Sequence, residues 1–253
     1  MNYIIMKISI ITVVFNNDKT IREAITSVLS QTYSDIEYII IDGGSSDDTL
    51  AIINEFSSSI TTLISEPDRG IYDAMNKGIK CSTGQIIGIL NSDDLYEDQN
   101  VLSDVMSAFE KDSELDIVYG NLKYVKPNTK DTVVRKWKSK KYYNSFFDDG
   151  NVPPHPCLFV RNVVYQKAGL FNQKYKLAAD YEFMLRIFKR YKFKSKYMDR
   201  WMVRMRLGGA TNSSFKNIIN QNREIVNSWR ELNTSPPIGL MPKRLVKRLT
   251  QFF

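Results

Sequence analysis

Four short polar clusters, each directly after or between apolar runs, hold the residue types in this chain that could do chemistry. One is Asn91-Ser92-Asp93-Asp94, which follows the run IIGIL (86–90). Two adjacent acids at the end of a buried strand are costly unless something cationic compensates them. Carboxylate oxygens select a hard divalent ion, Mg²⁺ or Mn²⁺, and such an ion in turn binds a diphosphate. The plainer role for Asp93 or Asp94 is to cap the helix that follows. A second cluster is Asp42-Gly43-Gly44-Ser45-Ser46-Asp47-Asp48. Its glycines let the backbone approach a ligand, and an acid at a strand end can accept from a base N–H or a ribose hydroxyl. It also reads as an ordinary turn with a helix cap. Phe15-Asn16-Asn17 and Glu66-Pro67-Asp68-Arg69-Gly70 complete the set, the latter in its plain form an ion-paired loop.

These clusters need elements that hold them at one edge. Residues 7–15 (KISIITVVF), 36–42 (IEYIIID), 60–65 and 86–90 read as buried strands, with a short strand at 116–119. Helical spacing lies between them. Ile21, Ala24, Ile25, Val28 and Leu29 share a face, with Thr20 and Glu23 placed as a capping box. Further helices are predicted after Ser45 and Ser46, over 71–80 and over 101–111. Apolar strands alternating with helices imply an α/β domain with a mostly parallel sheet covered on both faces. In such sheets ligands bind beyond the carboxyl ends of the strands, where the four clusters fall. After Gly120 the pattern changes. A strand is predicted around Val133, Val134 and Trp137, a loop over 142–156, and helices over 180–191 and 215–232, with Pro236-Pro237 ending the globular part. The reading is a nucleotide-binding half (1–120), a second half of the same domain (121–212), and a C-terminal helix with a basic tail (213–253).

Composition is that of a globular protein, with 43% hydrophobic and 25% charged residues. Disordered, collagen-like and disulfide-stapled classes are excluded. Cys81, Cys157 and His155 are too few and too scattered for a zinc site, and the cysteines suggest a reducing compartment. No run approaches the roughly 20 apolar residues of a spanning helix, and the start lacks the pattern of a signal peptide. Residues 1–5 read as a short extension, since Met6 is an equivalent start. The net charge of +7 hides a split: residues 1–120 carry 7 Lys+Arg against 20 Asp+Glu, and residues 121–253 carry 28 against 8. Either the halves face different things, the basic one an anionic partner, or they neutralise each other.

The clusters, in this order, resemble family 2 glycosyltransferases, inverting enzymes of the GT-A fold that use nucleotide-sugars. SIITVVFNN resembles the family's first strand, and IDGGSSDDT its nucleotide-binding loop. SEPDRGIYDAMNKGI with STGQIIGILNSDD resembles the segment that ends in its metal-binding D-x-D motif. HPCLFVRNVVYQKAGLFNQKYKLAADYEFMLR resembles the acceptor-side half of the bacterial surface-polysaccharide (O-antigen) branch, and the likeness runs from about Lys7 to Gly209. It implies base and ribose contacts from the backbone of Val13 to Phe15 and from Asp42 and Asp68. A nucleotide-sugar contact is also implied at Ser92 and Asp93, and the metal at Asp93 and Asp94, the latter as an outer support or helper. The catalytic base is implied at Asp180, with Glu182 as substitute; the plain role of Asp180 is to cap its helix. His155 is implied near a phosphate or the acceptor, and Arg186 near the diphosphate or, in its plain role, beside a carboxylate. The chain departs from the pattern in three places. Many members carry two acids where this chain has Asp42-Gly43, so the base contact rests on Asp42 or the loop shifts; Asn91 replaces the first acid of D-x-D; and Met75 stands where some members carry an arginine, which leaves Arg69 as the stand-in.

The implied activity moves a hexose, glucose or galactose favoured, from a UDP-sugar to an N-acetylhexosamine on undecaprenyl diphosphate, forming a β-glycosidic bond with Mn²⁺ or Mg²⁺ as cofactor. That places the protein on the cytoplasmic face of the bacterial inner membrane, on an anionic surface and without nucleic acid. Two other readings compete. A nucleotidyltransferase would carry basic residues in a glycine-rich loop after the first strand, and Phe15-Asn16-Asn17 has none. A non-catalytic nucleotide- or RNA-binding protein could use the interleaved stretch FKRYKFKSKYMDRW (188–201). The tail 240–253 has four basic residues and no acid, with Leu245, Leu249 and Phe252 on one helical face. It reads as a surface-lying membrane helix, or else as one docked on the protein itself; if docked, the basic surface of 174–206 becomes the membrane candidate.

Overall fold

The computed structural model describes residues 6–127, 129–208 and 215–252. The expected extension at 1–5, the end of the family likeness at Gly209, and the side chain of Phe252 lie outside the described residues. The first half follows the predicted alternation: β1 (Ile8–Val14), α1 (Ile21–Leu29), β2 (Ile36–Asp42), α2 (Thr49–Asn54), β3 (Thr62–Ser65), α3 (Ile71–Cys81) and β4 (Ile86–Ile89). Next come β5 (Asp94–Tyr96), α4 (Val101–Lys111) and the hairpin of β6 (Ile117–Lys126) with β7 (Thr129–Trp137). The chain continues through β8 (Leu158–Arg161), α5 (Asn162–Ala168), α6 (Ala179–Leu185), β9 (Ser195–Arg206), α7 (Phe215–Glu231) and α8 (Leu240–Leu249).

Among the described residues one sheet runs in the order β3-β2-β1-β4-β8-β6-β9-β5, with β7 added beside β6. β3, β2, β1 and β4 are mutually parallel. β8 is antiparallel to β4 and β6, whereas β9 is parallel to β6. All seven residues of β1 are buried, so apolar residues fall on both its faces, and its two polar side chains, Ser9 and Thr12, bond to Glu37 and Tyr38 of β2. Helices cover both faces. α3 and α6 share one apolar cluster with Ile11, Val13, Ile39 and Ile41, and α1 and α4 share the other with Ile8, Ile10, Tyr38 and Ile40. β6 passes through residue 120, so both halves of the chain share this one sheet.

Several local expectations are corrected. The capping box does not form. Thr20 Oγ1 donates to Asn17 Oδ1 (2.8 Å) and to the Ser92 carbonyl (2.9 Å), and Glu23 pairs with Arg206 (2.8 Å). Neither Asp93 nor Asp94 caps a helix, because β5 intervenes and α4 starts after Asn100. The strand expected at 116–119 extends to Lys126, and the helix expected over 180–191 is α6 followed by a π-turn, Arg186–Arg190. Pro236-Pro237 does not end the packed structure, since Leu240 beyond it is 3% exposed.

Part of the charge split is met by ion pairs within the fold. Lys194 pairs with Asp112 and Glu114, Arg200 with Asp98 and Asp104, and Arg204 with Glu97. The basic strand β9 therefore neutralises acids of the first half.

Gly78 sets how closely α3 lies on β1. A methyl group there would stand 2.4 Å from Ile11 Cγ2. Alanine is the better helix former by about 1 kcal/mol, but overpacking of this kind costs about 1–3 kcal/mol. Gly78→Ala is therefore expected to lower the urea midpoint, with the slope of the transition unchanged; a raised midpoint would mean that the contact yields.

Candidate active site

The strand ends meet along a cleft of about 2190 Å³. Its floor at β1 is a set of loops that bind one another. Asn16, at φ 47°, accepts from the Ser46 amide at 2.8 Å, and its own amide donates to Ser45 Oγ at 2.8 Å. Asn17 Nδ2 donates to Ser92 Oγ at 2.8 Å, which ties the first cluster to the fourth. Val13, Phe15 and Ser92 line the cleft, as does Gly43, whose Cα lies so near Phe15 that an added Cβ would stand 3.3 Å from its ring. Asp42 does not line it. Its fully buried carboxylate accepts from the amides of Gly44 (3.2 Å) and Ser45 (3.1 Å) and from the hydroxyl of Ser65 (2.7 Å). The expectation of a base or ribose contact is corrected to a loop-folding role, because the carboxylate is already occupied. Asp68 does reach the cleft, with Lys77 Nζ 2.6 Å from it. Arg69 is turned away beside Asp73 (3.2 Å), with its side chain largely in solvent, and cannot replace the missing arginine at Met75.

At the end of β4, Asn91, Ser92 and Asp93 line the cleft, and Asp94 sits fully buried behind them. Burial raises the Asp93 carboxyl, and the charge of Arg206 offsets part of that. Asp94 is raised well above the usual carboxylate range by burial and then by its neighbour Asp93. Asn91 Nδ2 donates to Asp94 Oδ2 at 3.1 Å, while Asn91 Oδ1 and Asp94 Oδ1 are buried with no hydrogen-bond partner. Orphaned buried oxygens beside a carboxylate fit a hard divalent ion. The ligands available from the chain are Asp93 and the amide oxygen of Asn91. Asp94 lies outside the cleft, where it orients Asn91 and so stands as helper rather than as a cleft-facing ligand. No group of three or more His, Cys, Asp or Glu able to hold a metal occurs among the described residues. An ion here would rely on substrate phosphates and water for its other positions, which suits Mg²⁺-like binding.

Asp180 stands in the first turn of α6 and lines the cleft. It is not the cap. The amides of Leu177 and Ala178 are taken by Glu224 of α7, each at 2.8 Å. Tyr72 of α3 donates its hydroxyl to Asp180 Oδ1 at 3.0 Å. Burial, and then the charge of Asp180, pushes the Tyr72 phenol far up, so it stays a donor. His155 lines the same cleft, its ring edge-on to Phe171 at 5.6 Å. Burial lowers its pKa, with Asp180 opposing, which favours a neutral imidazole that hydrogen-bonds rather than carries charge. Glu182 and Arg186 are placed outside the cleft. Arg186 donates through Nε and Nη2 to both oxygens of Glu182 (2.9 Å each) and to the carbonyls of Ala168 and Leu170. The pair ties α6 to the end of α5; the expected substitute base and diphosphate contact are corrected to this structural role.

The C-terminal tail is a wall of the cleft. Leu240 packs inward, Arg244 and Arg248 line the cavity, and Gln251 accepts from Arg135 Nε at 2.7 Å. Leu245, at the rim of the cleft, and Val246 and Leu249 leave an apolar surface of α8 open, at 59%, 57% and 53% exposed. The docked alternative holds for the face that carries Leu240, while these three apolar side chains are left exposed. Tyr72, Arg206, Arg135 and Arg244 were not singled out from the sequence. Arg206 is the most consequential: buried, it donates to the Asp93 carbonyl at 2.8 Å. Its only trace in the sequence is the alternation of Arg204 and Arg206 in a strand.

A family model described as glycosyl transferase family 2 matches residues 9–195. A PGL/p-HBAD biosynthesis glycosyltransferase of Mycobacterium bovis is 28% identical over 193 residues, which is 75% of this chain and 73% of that protein. Two solved structures share the fold. S. aureus TarS in complex with UDP-GlcNAc aligns with a TM-score of 0.63 at 15% identity, over 96% of this chain and 79% of that one. The mannosyltransferase PcManGT of Pyrobaculum calidifontis, in complex with GDP-Man and Mn²⁺, aligns with a TM-score of 0.66 at 14% identity, over 96% and 69%. The fold is accordingly GT-A-like, and with the family model spanning most of its length this chain belongs to glycosyl transferase family 2.

Proposed function

We propose that this glycosyltransferase is an inverting, metal-assisted hexosyltransferase that takes a UDP-sugar, glucose or galactose favoured, and adds it to an N-acetylhexosamine on undecaprenyl diphosphate. The observation that carries the reading is that Asn91 and Asp93, an oxygen-donor set beyond the carboxyl end of β4, share one cleft with the Asp180 carboxylate. A divalent ion held by Asp93 and Asn91 would offset the growing negative charge of the departing diphosphate. Phe15, Gly43 and Asp68 are the residues best placed to hold the nucleoside. Tyr72 fixes one oxygen of Asp180, and the other is left to take the acceptor hydroxyl's proton. A single displacement inverts the anomeric centre, so an α-linked donor gives a β-glycoside. The UDP-GlcNAc bound by S. aureus TarS and the Mn²⁺ bound by PcManGT support a nucleotide-sugar and a metal by analogy.

A role in O-antigen or other surface polysaccharide synthesis follows from a lipid-linked acceptor. No helix among the described residues is long and apolar enough to cross a membrane. The open face of α8, rimmed by Lys243 and Lys247, instead suits a peripheral position on an anionic inner leaflet. The RNA-binding alternative is weakened, since three basic residues of the interleaved stretch, Lys189, Lys194 and Arg200, pair with the protein's own acids.

Three outcomes are expected. Asp93→Ala loses about 10²-fold or more of transfer while staying folded, and chelator silences the wild type until Mn²⁺ or Mg²⁺ is restored; full activity in chelator would remove the metal from the scheme. Asp180→Asn binds UDP-sugar normally in calorimetry but transfers about 10²–10⁴-fold more slowly, with products read by mass spectrometry; normal transfer would mean another base. Replacing Leu245, Val246 and Leu249 together by Gln leaves the melting temperature within a few degrees, because all three are exposed. The triple variant should no longer sediment with phosphatidylglycerol vesicles; unchanged sedimentation would exclude α8 as the membrane face.

A further inference from the structure

Lys77 of α3 reaches back over the turn that joins β3 to α3 and meets three consecutive residues of it. Its Nζ stands 2.8 Å from Glu66 Oε1 and 2.6 Å from Asp68 Oδ1, and it donates to the Pro67 carbonyl at 3.2 Å. The two carboxylate contacts are not equal. Glu66 is 57% exposed, and a pair of that kind contributes little. Asp68 is 10% exposed, and its Oδ1 is buried without a hydrogen bond, so the charge of Lys77 is what offsets its loss of water. Burial by itself would lower the Lys77 pKa, but Asp68 and Glu66 more than reverse this, and the ammonium stays charged.

With one oxygen of Asp68 held, the direction of the other is set. Asp68 Oδ2 lies beside Gly43 and Phe15: a Cβ added at Gly43 would stand 3.0 Å from this oxygen and 3.3 Å from the Phe15 ring. Asp68, Gly43 and Phe15 line the cleft, whereas Lys77 stands behind it. A carboxylate in that place accepts from a base N–H or a ribose hydroxyl. The lysine is presented from a helix that is itself pinned. Asn76, 4% exposed, donates to the Phe171 carbonyl at 2.8 Å and accepts from the Phe171 amide at 3.0 Å, and Gly78 lies close on β1. We propose that Lys77 is a positioning residue for the donor: from behind the cleft it fixes Asp68 so that one carboxylate oxygen is presented to the nucleoside. This rests on the nucleoside role given to Asp68 above. On the same helix Tyr72 holds one oxygen of Asp180. α3 thereby sets both the carboxylate that meets the donor and the one that takes the acceptor's proton.

The test titrates the full chain with UDP, and in a parallel arm with inorganic pyrophosphate, by calorimetry in a buffer containing Mn²⁺. Lys77→Met keeps an apolar stem and removes the charge. It should weaken UDP binding about tenfold, the order of one lost hydrogen bond to a charged group, and leave pyrophosphate within about twofold of wild type. Lys77→Arg restores the charge and should recover most of the UDP affinity. Lys80→Gln, at the exposed end of the same helix, should match the wild type. In an Asp68→Ala background Lys77→Met should cost nothing further, because the group it acts through is gone. Unchanged UDP affinity in Lys77→Met, with a loss in Asp68→Ala, would overturn the proposal and leave Asp68 at the nucleoside. Equal losses of UDP and pyrophosphate would make Lys77 a general support of the cleft, and additive losses in the double variant would give it a route other than Asp68; either result overturns the proposal. If Asp68→Ala binds UDP as the wild type does, the nucleoside role of Asp68 fails and the proposal with it. Should Lys77→Met lose its cooperative melt, Lys77→Gln carries the same comparison.

Discussion

Two carboxylates side by side in a protein interior are unstable on their own, and the centre of this molecule is arranged around that cost. Asp93 and Asp94 follow β4, one facing the cleft and one fully buried. Burial raises both, and their proximity raises Asp94 further. Arg206 is the chain's own compensation. Arriving from β9, more than a hundred residues later, it hydrogen-bonds the Asp93 carbonyl and pairs with Glu23 of α1. One guanidinium therefore joins the start, middle and later part of the chain at the point where a phosphate-binding ion is best accommodated. The compensation is incomplete, since oxygens of Asn91 and Asp94 remain without partners. A buried polar group of this kind is tolerated where a ligand completes it.

The remaining polar residues at the strand ends divide into those that build the cleft and those that face it. Asp42 spends its carboxylate on the Gly43-Gly44-Ser45 turn, which brings backbone rather than a side chain to the cavity. Asn16 and Asn17 tie that turn to β1 and to Ser92. With the loops locked to each other, the groups that face the cleft, Asp68, Asp93 and Asp180, are held by scaffolding and need no rearrangement to share it. Tyr72 extends this logic, linking α3 of the first half to the carboxylate on α6 of the second.

The C-terminal helix reverses the usual arrangement of an amphipathic helix. Leu240 packs inward at its start, but Arg244 and Arg248 line the cleft while Val246 and Leu249 are left exposed. In water an outward apolar face brings no stabilisation, and inward arginines carry a desolvation cost.

Much of the first half was determined by sequence alone. Continuous apolar runs such as IIGIL and IEYIIID can be satisfied only as central parallel strands, and the polar residues after them must then lie at one edge, so Asp93, Asp68 and the Phe15 loop were legible. Asp180 was legible through its resemblance to a known motif rather than through spacing. What a carboxylate or guanidinium would find opposite it was decided only by the tertiary structure. Asp42, Arg69, Glu182 and Arg186 carry suitable groups for a site, but each meets a local partner first: loop amides, Asp73, or one another. Conversely, Arg206, Tyr72 and Arg244 acquire their places through contacts spanning from about sixty to nearly two hundred residues of chain. Periodicity reports which face of an element is buried. Hydrogen bonding at short range and burial at long range then settle which charged groups remain for a substrate, and neither is written in the spacing of one segment.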